Sequence, residues 1–159
     1  MTELERLADI EALKQLKARY CRLLDAKDWT AWRALFTDDF VSDTTASGGR
    51  RVEGGDAFVD FVRAMLGAPQ RVTVHQVHAP EIEILSPTTA RGIWALEDVV
   101  RLVTGLTMRG YGHYHETYAK RDGAWRFQAS TLTRLRADLE TPLAKLRLPA
   151  RLLAKRGAA

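Results

Sequence analysis

The four histidines of this chain fall into two pairs, His75 with His78 and His113 with His115. Imidazole is suited to proton transfer because its ordinary pKa of about 6.5 lies near neutrality. Side chains alternate between the faces of a strand, so His75 and His78, three apart, point opposite ways and only one can face an interior. Pro80 stands close enough to introduce a bulge there. His113 and His115 share a face at a spacing that metal ligands also use. However, Cys21 is the single cysteine and no carboxylate completes a ligand triad at recognisable spacing, so no metal is expected. Asp25 closes a run of helical periodicity, where its charge meets the negative end of the helix dipole and needs a compensating partner. Tyr20 lies one and a half turns earlier and flanks the same face. Asp98 shares a strand face with Gly92, Trp94 and Leu96. Cys21 has no adjacent base to activate it and is expected as a small buried helix residue. There is no phosphate loop, dinucleotide fingerprint or serine nucleophile elbow, and no cofactor is expected.

The elements that carry these residues show in the hydrophobic periods. Thr2-Glu3-Leu4-Glu5 is a capping box opening a long amphipathic helix to about Ala26, with Leu4, Leu7, Ala8, Leu13, Leu16, Tyr20, Leu23 and Leu24 on its apolar face. Asp28 caps a second helix, Trp29 to Phe36. Phe40-Val41 suggests a short strand, and Thr44 to Arg51 is a polar loop or hairpin tip. A third helix runs from Gly54 to Leu66, with Phe58, Phe61, Val62, Met65 and Leu66 inward and Gly67 at its end. Beyond Pro69 the period falls to two, giving strands at Arg71–Leu85, Ala90–Val103, Met108–Arg121 and Ala124–Arg136. The least distinct of the turns between them is Val103-Thr104-Gly105-Leu106. Consecutive long strands twist and coil, so three helices followed by a meander predict an α+β cone: a curved antiparallel sheet wrapped around the N-terminal helices and enclosing a pocket.

Several segments resemble, in type and order, the SnoaL-like branch of the nuclear transport factor 2-like superfamily. They are Leu16–Asp25 with Tyr20 and Asp25, Asp28-Trp29, Phe36-Thr37-Asp38-Asp39-Phe40, the run from Val74 through His75, His78 and Pro80 to Ile84, and Tyr118 to Phe127. The resemblance covers about residues 4 to 136 and extends to scytalone dehydratase, bile-acid 7α-dehydratase, hexachlorocyclohexane dehydrochlorinase and ketosteroid isomerase. It implies a catalytic pair, with the family's aspartate at Asp25 and its histidine at His75. The bile-acid dehydratase pattern further implies Tyr20 and Asp98. The dehydrochlorinase lysine is replaced by Tyr20 and its last-strand arginine falls on Ser130, which shifts the expectation from halide loss toward loss of water. In that scheme His75 is the base and Asp25 orients it. Tyr20 donates to an enolate or departing hydroxyl, and Asp98 is a protonated acid in an apolar setting, comparable to a known ketosteroid-isomerising site. Trp94, Trp32, Phe58 and Leu96 are expected as a flat wall for a ring substrate, with Tyr114 and His78 also at the pocket.

Across its 159 residues the chain is 46% hydrophobic and 28% charged, the proportions of one globular domain with a real core. No apolar run approaches the roughly 18 residues of a membrane span, and the acidic, amphipathic N-terminus has no signal-peptide core, so a cytoplasmic protein without membrane partners is expected. The net charge of +4 comes from residues 134–159, where seven basic residues oppose Asp138 and Glu140. No aromatic side chains interleave them, which argues against nucleic acid. The expected organisation is a cone domain, 1–136, and a basic tail, 137–159, partly helical and packed on the cone or on a neighbouring subunit. Arg134 and Arg136 are expected at solvent or an interface, or facing an acidic substrate tail. An open sheet face suggests a homodimer or homotrimer. The expected function is a cofactor-independent lyase, a dehydratase acting on an apolar cyclic small molecule of steroid, polyketide or terpenoid type. The alternatives are a ketosteroid-type isomerase and a non-catalytic small-molecule binder.

Overall fold

The computed structural model describes residues 1–103 and 105–149. Helix α1, Glu3–Asp25, begins at the capping box: the Glu5 backbone N–H donates to Thr2 Oγ1 (3.2 Å) and the Thr2 N–H to Glu5 Oε2 (2.7 Å). Its first turns stand clear of the core, with Leu4 78% exposed, and burial sets in from Asp9 and Leu13. Lys27 turns the chain in a left-handed conformation (φ 61°), and Asp28 caps α2, Trp29–Arg33. This helix is shorter than its apolar pattern suggests, because the backbone at Leu35 and Phe36 is claimed by the sheet: Phe127 N–H donates to the Leu35 carbonyl (2.9 Å). Strand β1 therefore spans Phe36–Asp43, and a hairpin returns through β2, Arg51–Glu53, a strand too short to have a period of its own. Helix α3 follows at Gly55–Leu66.

The strands β3 (Thr73–Ser86), β4 (Thr89–Val103), β5 (Leu106–Arg121) and β6 (Ala124–Glu140) form an antiparallel meander, and β1 joins it parallel to β6. The sheet order is β2-β1-β6-β5-β4-β3. It curves without closing around the helices, as the periodicity predicts. An aromatic core of Tyr20, Trp32, Phe36, Phe40, Phe58 and Phe127 fills one end. Ala79 (φ 45°) marks a bulge between His78 and Glu81, at the position that Pro80 signals.

The sheet does not stop at Arg136. Strand β6 runs on to Glu140, and β7, Lys145–Pro149, pairs antiparallel with it where a partly helical tail was expected. The reason is visible in Lys145-Leu146-Arg147-Leu148, whose charged and apolar residues alternate with the strand period. Residues 150–159, with Arg151, Lys155 and Arg156, lie outside the described residues, as does Thr104 of the β4–β5 turn. No helix among the described residues is long and apolar enough to cross a membrane.

Candidate active site

Asp25 finds its compensating partner at the start of β3. One carboxylate oxygen lies 2.7 Å from His75 Nδ1 and accepts from the Thr73 hydroxyl (2.8 Å), and the other accepts from the His75 backbone N–H (2.8 Å). Lys27 Nζ donates to the same Thr73 hydroxyl (2.8 Å). Burial opposes the charge on Asp25, but the hydrogen bonds from the His75 ring, the His75 amide and Thr73 outweigh it and hold this carboxyl below its ordinary range. A carboxylate beside Nδ1 places the ring proton on that nitrogen and leaves Nε2 as the acceptor. The His75 ring is 6% exposed and borders a cavity between the helices and the sheet.

That cavity has a volume of about 600 Å³. Tyr20, Trp32 and Phe58 enter its wall from the helices, and Asp98, Tyr114 and Leu132 from the sheet. Burial raises the phenol pKa values of Tyr20 and Tyr114, so both remain hydrogen-bond donors at neutral pH.

Asp98 stands directly across from His75 in the β3–β4 register, on the same inward face. It is not, however, the free acid expected of it. Arg134 Nη1 and Nη2 donate to its two oxygens at 2.7 and 2.6 Å, so both oxygens act as acceptors in a bidentate pair. Glycine at 110 makes the pair possible: a Cβ there would fall 2.1 Å from both Asp98 Oδ1 and Arg134 Nη1. Arg134 is therefore a wall residue of the cavity, with a side chain 8% exposed, and not a solvent or interface residue.

Three other expected wall residues lie elsewhere. Trp94 is buried, but its indole N–H donates to the Tyr118 hydroxyl (2.8 Å) and it does not line the cavity. Leu96 packs with Trp94 and Tyr114 in a small cluster. His78 is exposed, with Nδ1 3.3 Å from the Ala95 carbonyl; His78 and Trp94 border a separate groove of about 540 Å³ that also touches Lys14, Cys21 and His75. His113 and His115 lie on the opposite sheet face, where His115 Nε2 is 3.2 Å from the Thr133 hydroxyl. Among the described residues, no group of three His, Cys, Asp or Glu side chains is arranged to hold a metal.

Beneath the cavity lies a buried ion pair that periodicity gave no reason to expect. Lys17 Nζ donates to Glu116 Oε1 (2.6 Å), both side chains being fully buried, and Glu116 Oε2 accepts from the Tyr118 hydroxyl (2.6 Å). The Lys17 ammonium also sits over the Tyr114 ring (3.7 Å) and the Tyr20 ring (4.4 Å), two walls of the cavity.

A family model described as the SnoaL-like domain matches residues 5–131. Among solved structures, the chain is similar to a scytalone dehydratase-like protein from Novosphingobium aromaticivorans DSM 12444, with a TM-score of 0.78, 23% identity and coverage of 86% of this chain and 90% of that one. It is similar to LinA, with a TM-score of 0.78, 22% identity and coverage of 91% and 95%. It also resembles the hexachlorocyclohexane dehydrochlorinase LinA-type3 from Novosphingobium barchaimii LL02, with a TM-score of 0.75, 20% identity and coverage of 92% and 94%. At these identities the likeness is one of fold.

Proposed function

Because the chain belongs to the SnoaL-like domain family, we propose that it is a cofactor-independent lyase, a dehydratase that removes water from an apolar cyclic small molecule. The observation that carries this reading is the Asp25–His75 pair, whose imidazole borders a largely apolar cavity of ring size. In the proposed reaction His75 Nε2 takes a proton from the carbon next to a carbonyl. The electrons of that C–H bond form a carbon–carbon double bond as the neighbouring C–O bond breaks. The imidazolium, stabilised by Asp25, returns the proton to the departing hydroxyl, which leaves as water. Tyr20 and Tyr114 supply phenol donors for the departing oxygen, and Arg134, oriented by Asp98, supplies N–H donors for the carbonyl oxygen as it gains charge. Because both Asp98 oxygens accept from the guanidinium, the proposed role of Asp98 is to position Arg134.

Cyclic β-hydroxy ketones in D2O test this directly. The wild-type protein is expected to produce the conjugated enone, and His75→Ala to lose roughly 10²–10⁴ in rate with an unchanged circular dichroism spectrum. A folded His75→Ala protein that keeps the full rate overturns the mechanism.

The reading includes a cytoplasmic homodimer or homotrimer, supported by the place of β3 as the last strand of the sheet and by the sheet's outer face. Sedimentation equilibrium is expected to give two or three times the 17.9 kDa chain mass, and a monomer at micromolar concentration overturns it.

A further inference from the structure

Of the charged side chains on the cavity wall, three are arginines, Arg50, Arg71 and Arg134, and one is a carboxylate, Asp98. Asp98 is fully engaged by Arg134. This leaves Arg50, which is exposed, and Arg71, which is half-buried, as a net positive charge at the outer part of the cavity. Neighbouring arginines are neutralised: Arg51 by Glu53 (2.9 Å), and Arg33 by Asp38 (2.6 Å) and Asp56 (2.7 Å). Neither Arg50 nor Arg71 has a carboxylate partner among the described residues.

Arg50 is also held in place. Its backbone N–H donates to Thr44 Oγ1, and the Thr44 hydroxyl to the Arg50 carbonyl, both at 3.0 Å. The Ser47 hydroxyl in the same loop donates to the Leu132 carbonyl (2.8 Å). The guanidinium lies 3.9 Å above the ring of Phe61, itself a cavity wall. Stacking uses the flat face of the guanidinium and leaves its edge, where the N–H donors point, open for a planar anion. Arg71 reaches the same cavity from just before β3, four residues ahead of His75.

We infer that the cavity mouth binds an anionic group, a carboxylate or sulfonate, carried by an otherwise apolar ring molecule, and that Arg50 and Arg71 are the residues that select for it. The inference rests on the proposed function in taking this cavity as the substrate site. It orients the substrate with its reacting carbonyl inward, toward His75 and Arg134, and its anionic end outward.

A matched pair of fluorescent probes tests it: anilinonaphthalene sulfonate and phenylnaphthylamine, the same ring system with and without the anion. The wild-type protein is expected to bind the sulfonate more tightly than the amine, the amine is expected to displace the sulfonate, and added salt is expected to weaken only the sulfonate. Arg50→Gln and Arg71→Gln each reduce sulfonate affinity roughly threefold, and the double variant about tenfold, with the amine unchanged. Equal binding of the two probes by the wild type, failure of displacement, unchanged sulfonate binding in the double variant, or a parallel loss of both probes overturns the inference. Neither probe reacts, so the result is independent of His75. Loss of the His75 requirement in turnover would sink the proposed mechanism and leave this charge selection standing.

Discussion

Asp25 does two jobs through one carboxylate. It sets the His75 ring, and by accepting the His75 N–H and the Thr73 hydroxyl it ties the end of α1 to the start of β3. Burial acts against its charge, yet the bonds from His75 and Thr73 prevail and lower its native pKa. A carboxyl whose native pKa lies below its unfolded value favours folding while it is ionised. That contribution is fully present above the unfolded value, near pH 4, and is lost as pH falls through the native value. Asp25→Asn is therefore expected to cost roughly 1–3 kcal/mol at neutral pH, the usual penalty for weakening a buried hydrogen-bonded group. The gap from the wild type should close in acid. Urea unfolding of both proteins at pH 7 and pH 3 checks this, and a gap of the same size at both values contradicts it. The Asp25 and His75 positions were legible through the family resemblance alone; neither a helix-end aspartate nor a strand histidine is distinctive by type.

The elements meet through a second buried pair. Lys17 of α1 and Glu116 of β5 join helix to sheet at 2.6 Å with no exposure of either side chain. Removing one partner of a buried pair strands the other's charge, which costs about 3–5 kcal/mol, whereas removing both charges costs much less. Lys17→Met is expected to lose that amount and Lys17→Met/Glu116→Gln to recover most of it, since glutamine retains an acceptor for Tyr118. Denaturant midpoints of the three proteins decide the matter; a double variant no better than the single one refutes the pairing. Hydropathy could not show this contact, because it scores Lys17 as a solvent-facing residue of α1. The strands themselves were legible to within a few residues, since β4 alternates buried and partly exposed side chains almost throughout. Arg134 was hidden by the first of two bulges in β6. Thr117 pairs with Ala129 and Tyr118 with Phe127, which leaves Gln128 unpaired; Gly112 pairs with Arg134 and Tyr111 with Arg136, which leaves Leu135 unpaired. The bulge at Gln128 shifts the inward set by one, so Ser130, Leu132 and Arg134 face the cavity where unbroken alternation from Phe127 would turn them out, and the bulge at Leu135 shifts it back, which brings Ala137 to the same wall.

At the scale of the whole molecule, the cone is a core left partly hollow. Aromatic packing fills one end, from Phe36 and Phe40 to Phe127, while about 600 Å³ stays open around His75 and Arg134. A folding sequence under no other demand gains by filling such space, because protein interiors pack densely and a void forfeits contacts. The same sheet carries both regions. Its α+β architecture was legible because long consecutive strands must coil around something; whether the interior was packed or open was not, since inward apolar residues serve either purpose. If the opening is kept for a ligand, closing it should stabilise the protein and cost binding. Val100, 5% exposed on β4, lines the cavity two residues beyond Asp98 and offers a way to fill it without touching the polar groups. Val100→Phe is expected to add about 0.5–2 kcal/mol, as cavity-filling changes commonly do, and to raise the melting temperature by roughly 2–4 °C per kcal/mol for a chain of this size. Phenylnaphthylamine should then bind at least about tenfold more weakly, which is the signature of a filled site. A variant that melts lower while still binding the probe would mean that the wall is already tightly packed at Val100 and that the ring site lies elsewhere in the cone.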